Sequence, residues 1–247
     1  MLLRPNDISN QLELPGYNLS PRKVTKLLLS IIALLIVFNL IERVIVYSLN
    51  IDSDIQIISQ YFNFDRESNI PSLYSALTLG FCSYLLAIIS IFKKSKHARF
   101  AKHWKSLSYI FAFLAIDEAC SIHESLIPIM RGIVNAEGFL YFPWVIPAFF
   151  MLIVFLLVFR KFIRALPTKT KTLFILSGFV YVAGALGMEL IGGYLADVSG
   201  YNTAYGIAST IEELLEMLGI VLFINSLLSY IQSQLSEIRL SLSFFNN

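Results

Sequence analysis

Residues 115–126 read AIDEACSIHESL, flanked by the apolar runs SLSYIFAFL (106–114) and IPIM (127–130). The run has the apolar length of a lipid-embedded segment, yet Asp117, Glu118, His123 and Glu124 fall inside it. On a soluble protein these would be an ordinary solvated face. In a membrane they would be a buried polar site. The rest of the chain decides between the two.

Of 247 residues, 56% are hydrophobic and only 15% charged, with a mean hydropathy of +0.69. A soluble domain is nearer a quarter charged, so this composition predicts a polytopic integral membrane protein. Six segments have the roughly twenty apolar residues that a helical span needs: 25–48, 71–93, 106–129, 142–164, 172–196 and 205–230. None alternates as barrel strands do. The expected fold is all-α, a single six-helix transmembrane bundle over 25–230 with polar tails at 1–24 and 231–247. The tail at 1–24 is too long and too acidic for a signal n-region, so 25–48 reads as a retained span.

Lys and Arg set the orientation. Arg4, Arg22, Lys23 and Lys26 lie at or before the start of the first span. Lys93, Lys94, Lys96, Arg99, Lys102 and Lys105 lie between spans two and three, and Arg160, Lys161, Arg164, Lys169 and Lys171 between four and five. The alternate loops hold only Arg66 and Arg131, among Asp52, Asp54, Asp65, Glu67, Glu137 and Asp197. Both termini are expected in the cytoplasm, with the protein multi-pass in a plasma (inner) membrane. The net charge of +2 gives no reason to expect nucleic acid. Cys82 and Cys120 both fall in apolar segments and imply no disulfide framework.

Eight of the seventeen acidic residues fall inside predicted spans: Glu42, Asp117, Glu118, Glu124, Glu189, Glu212, Glu213 and Glu216. At about 2.5–3.5 kcal/mol for each mid-bilayer charge, they represent a penalty on the order of 20 kcal/mol unless they face water, a cation or one another. The topology places spans one, three, five and six with their polar groups at one depth, on the extracytoplasmic side of centre. Spans two and four carry no acids and read as lipid-facing walls. On a continuous helix, Asp117, Cys120, Ser121 and Glu124 share a face, and Glu189 lies on a stripe of small residues suited to close helix contact.

Carboxylates with an imidazole suit iron, manganese or zinc. The candidate divalent-metal ligands are His123, Glu124, Glu189, Glu212 and Glu216, with Glu118 or Glu216 as general base and Glu42, Arg43, Asp117 and Glu213 at the rim. Blander readings stand beside these. Ser209 and Glu212 have the spacing of a capping box, Arg43 pairs with an acid or snorkels, His97 and His103 are solvated, and Tyr141, Phe142 and Trp144 form an interfacial belt.

Three functions follow. The first is a metal-dependent intramembrane enzyme, hydrolase or oxidoreductase, acting on a lipid-like substrate. The second is a cation- or proton-coupled transporter. The third is a non-catalytic assembly or sensor protein whose polar core fixes helix register. The expected partners are the lipid bilayer and a lipid-like or cationic small ligand.

Overall fold

The computed structural model describes residues 20–49 and 60–245, with side chains for 20–44 and 60–234. The tail at 1–19, Asp52 and Asp54 lie outside the described residues. The described chain is helical without strands: α1 (Pro21–Leu49), α2 (Ile70–Ser95), α3 (Ala101–Cys120), α4 (Ile122–Arg131), α5 (Val145–Ala165), α6 (Thr168–Val182), a π-helical turn (Ala183–Met188), α7 (Glu189–Ser199) and α8 (Thr203–Phe245).

Five helical stretches are long and apolar enough to cross a membrane: Pro21–Val44, Ile70–Ser95, Val145–Ala165, Thr168–Ser199 and Thr203–Gln234. The segment expected as a third span is instead divided between α3 and α4. Ser121 takes a left-handed conformation at φ 52° between them. With Lys102, Lys105, Asp117 and Glu118 on α3, no unbroken apolar run of spanning length remains there.

The long helix α8 is central, packing against α1, α2, α6, the π turn and α7. Two glycines permit its closest approaches. A Cβ at Gly219 would stand 2.7 Å from the Tyr181 backbone nitrogen, and one at Gly184 would stand 2.8 Å from the Glu212 carbonyl oxygen. Small residues thus bring α6 and the π turn onto α8, as expected for helices packed in lipid. Gly184 makes this contact, whereas Gly178, on the stripe read from the sequence, has nothing within 4 Å of its Cβ position.

The apolar core joins α2, α3, α5 and α8 through Leu79, Cys82, Leu86, Trp104, Phe162, Ile224 and Leu227, each no more than 2% exposed, and Phe174 brings in α6. This qualifies the reading of span two as a lipid-facing wall: α2 leaves Leu73, Leu77, Tyr84 and Ile91 exposed on one side and buries Leu79, Cys82, Leu86 and Ile89 on the other. It carries hydroxyl side chains rather than acids, and several bond locally or across to α3: Ser83 Oγ donates to the Ser108 carbonyl at 2.8 Å. Lack of charge marked a helix with one face of each kind. α5 does fit the outer position, with only Val145, Phe159 and Phe162 buried. His103 is not a solvated loop residue either. It sits within α3 and stacks on Phe162 at 5.6 Å.

At one end of the bundle, the segment from Phe62 to Asn69 is tied down by polar bonds. Asn69 caps α2 in a reciprocal box with Ser72, and its Nδ2 donates to the carbonyls of Asn63 (2.6 Å) and Arg66 (2.7 Å). Asn39 Nδ2 on α1 donates to the Phe62 carbonyl at 3.2 Å. Asn63 Nδ2 donates to Glu42 Oε1 at 3.3 Å. These bonds fix a loop that would otherwise move, and the loop carries Asp65 and Glu67.

Candidate functional site

A cavity of about 900 Å³ opens among α3, α4, α5, α6, the π turn and α8. Asp65, Glu67, Asp117, Glu118, His123, Glu124, Glu189, Glu212, Glu213 and Glu216 all line it. Residues assigned to three separate predicted spans therefore share one space, joined by two carboxylates from the loop before α2.

The centre of the site is built on the helix break. Because Ser121 turns the chain, α4 starts afresh with free backbone donors, and Asp117 from the last turn of α3 answers them. Its Oδ1 accepts the His123 backbone N–H at 2.9 Å, and its Oδ2 lies 3.1 Å from His123 Nδ1. A carboxylate only accepts, so Nδ1 carries a proton, and in the neutral ring Nε2 keeps its lone pair. Nε2 points towards Glu67 Oε1, 3.7 Å away, too far for a hydrogen bond. The other Glu67 oxygen accepts from Ser121 Oγ at 3.3 Å. The His123 ring also lies against the Trp144 ring, their centroids 4.7 Å apart.

Across the cavity, Trp144 Nε1 donates to Glu189 Oε1 at 2.5 Å. Glu189 also lies against Glu212, and Glu216 against Tyr181. Glu189 begins α7 directly after the π turn, a helix irregularity that recurs at functional sites. Glu118 is 8% exposed and faces Glu213.

The loop carboxylates are perturbed by their setting. Burial raises the Glu67 carboxyl to about 7, with Glu124 and Asp117 adding to the effect and His123 and Ser121 opposing it. Burial also raises Asp65, against its bonds to Tyr205 and Ser209 and the nearby charges of Arg43 and Arg66.

Several expectations change on this geometry. The face read along a continuous helix does not survive the break at Ser121. Cys120 is exposed, while Glu118, placed off that face, is buried. The capping box at Ser209 is overturned, because α8 begins at Thr203 and Asn202 caps it, accepting from the backbone N–H groups of Ala204 (3.0 Å) and Tyr205 (3.1 Å). Glu212 and Glu213 are thus well inside the helix. Glu42 and Arg43 do not line the cavity. Glu42 anchors the loop through Asn63, and Arg43 packs its guanidinium on Gly206. The metal centre is not supported: among the described residues no group of three or more His, Cys, Asp or Glu is placed to hold an ion. Glu189 and Glu216 are drawn aside by Trp144 and Tyr181.

Sequence reasoning missed Glu67 and Trp144. Glu67 carried no distinguishing mark among the loop acids. Trp144 carried one signal, a lone indole donor beside a segment rich in acceptors, which the interfacial-belt reading absorbed.

The apolar helices and their arrangement define the class, a helical bundle compatible with a membrane protein. The family described as Domain of unknown function (DUF8692) matches residues 27–231, and the chain belongs to it. No curated protein and no solved structure matches the chain.

Proposed function

We propose that this is a multi-pass membrane enzyme that uses His123 for acid–base chemistry on a lipid-like substrate held in the cavity. The observation that carries the reading is the Asp117–His123 pair facing a cavity whose remaining wall is largely apolar. Asp117 fixes the ring and its tautomer and stabilises the imidazolium that forms when Nε2 takes a proton, the part a carboxylate plays behind a catalytic histidine. Nε2 removes a proton from a substrate group or from water and returns it later in the cycle; such transfer contributes about 10²–10⁴-fold to a rate. This moves the role of base from Glu118 or Glu216 to His123, whose Nε2 faces Glu67 without a hydrogen bond. A divalent ion would have to recruit Glu67 beside His123, and the remaining donors would have to leave their present partners.

The test is to incubate purified protein with a total membrane lipid extract and follow the lipids by mass spectrometry across pH 5–8. Wild type should convert one lipid class with a pH-dependent rate, and His123→Gln should lose at least 100-fold. Identical lipid profiles for the two proteins at every pH would overturn the proposal.

A second reading, proton-coupled transport, draws on the break at Ser121 and the π turn at Ala183–Met188, which interrupt two helices beside the same acids. Discontinuous helices around a site are a transporter feature. Uptake of substrate into proteoliposomes driven by a pH gradient, with no chemical change in it, would favour this reading over the enzyme.

A further inference from the structure

The cavity joins two chemistries along one axis. Its polar end is lined by carboxylates, with Arg66 the only Lys or Arg among the described lining residues. Beyond Glu118 the wall becomes apolar, through Phe111, Leu114, Leu152, Phe155 and Phe223. The lining of α3 runs from Leu107 to Glu118, which at 1.5 Å per residue gives a bore about 16 Å long. Its flank is open to the side. Tyr109 and Phe113 on α3 are 63% and 51% exposed, and Met151 and Leu156 on α5 are 60% and 51% exposed. All four line the cavity.

We infer that the cavity takes a single-chain amphiphile with a cationic, amine-type head, which enters sideways between α3 and α5. This rests on the reading of the cavity as a lipid-like substrate site and names the class of substrate. The chain lies along the apolar bore, and the head sits among Glu67, Glu189 and Glu212. Charge complementarity carries the choice. Carboxyls withdrawn from water are satisfied by a proton or by a counter-charge, and the wall supplies almost no fixed positive charge. A compact metal ion needs donors converging to about 2 Å, whereas these carboxyls are spread around a wide space. A bulky organic cation matches that spread. The Trp144 and Tyr205 rings in the same wall add cation–π attraction.

Trp104 and Trp144 are the two tryptophans of the chain, so Trp104→Phe leaves Trp144 as a reporter at the polar end. Detergent-purified protein is titrated with dodecylamine, dodecanoate and butylamine. Dodecylamine should change Trp144 emission saturably, with dodecanoate and butylamine each at least tenfold weaker. Glu212→Gln should weaken dodecylamine about tenfold. Trp104 is buried in the core, so native mass spectrometry of the wild-type protein with the same three probes gives the answer if Trp104→Phe does not fold. Dodecanoate binding as tightly as dodecylamine overturns the cationic head, and butylamine binding as tightly overturns the apolar bore. The assay involves no turnover. Its failure removes the amine class and leaves the His123 reading standing, whereas unchanged lipid profiles with intact dodecylamine binding do the reverse.

Discussion

Replacing Asp117 by asparagine isolates the joint on which the site is built. The wild-type carboxylate accepts two bonds at once, from the His123 backbone N–H (2.9 Å) and from Nδ1 (3.1 Å). An asparagine side chain has one oxygen and one amide nitrogen, so it keeps one of these acceptors and turns a donor towards the other. The pair is mostly buried, with side-chain exposures of 20% for His123 and 18% for Asp117, so water compensates little. Exchanging hydrogen bonds to a charged group for neutral ones forfeits about 0.5–1.5 kcal/mol. The backbone bond joins α3 to α4, so it is the one retained, and the imidazole must then change tautomer to accept from the amide. Two measurements follow. Asp117→Asn should lower thermal stability by that amount, and ¹⁵N spectra of histidine-labelled protein should show the His123 proton moving from Nδ1 to Nε2. His123→Gln identifies the signal among the three histidines of the chain. Unchanged stability together with an unchanged tautomer would refute the pairing, and with it the mechanism built on Nε2.

Glu67 makes a prediction in pH. Its carboxyl is raised from 4.5 to about 7, so the folded state prefers the protonated form. The contribution to stability is whole below about pH 4.5 and is lost as pH rises through about 7. At 1.36 kcal/mol per unit this is on the order of 3 kcal/mol. His123, Asp117, Glu124, Glu118 and Glu213 face the same space, so the useful quantity is the difference between wild type and Glu67→Gln. Between pH 5 and 8 the wild type should lose melting temperature relative to Glu67→Gln, and parallel curves would refute the burial argument. Topology is tested in a background without Cys82 and Cys120. A cysteine at position 98 should react only from the cytoplasm and one at position 135 only from outside, and the opposite labelling at either position overturns the Lys/Arg reading.

Hydropathy made the apolar helical architecture legible, with five stretches long enough to cross a membrane. It also marked the acids that would carry a cost in lipid, and those of α3, α4, α7 and α8 line one cavity. It did not show how they meet. The break at Ser121 has no glycine or proline at the break itself. Asp117 bonds across it to His123, a local cap written in a residue that was read for its charge alone. The π turn before Glu189 lies in an unremarkable apolar run, AGALGM, within which Gly184 lets the chain approach Glu212 and Glu216 on α8.

The loop acids were the least legible part, and the reason bears on what the cavity selects. Asp65 and Glu67 sit in a segment whose composition is that of any polar connection. Their position depends on Asn39, Glu42, Asn63 and Asn69 bonding it down. Glu42 looked like a member of the site because it is an acid within a span. Its contribution instead is to hold Asn63, and so to keep Glu67 opposite His123. An acid at a predicted membrane depth therefore has two ways to be satisfied, by facing the cavity or by anchoring a loop. Sequence spacing alone does not separate them. The difference lies in the surroundings: Glu42 meets the Asn63 amide away from the cavity, whereas the cavity acids share one space with His123, Trp144 and Ser121 among their partners. Groups of one sign gathered around a space that an apolar bore enters are what a cationic amphiphile would complete.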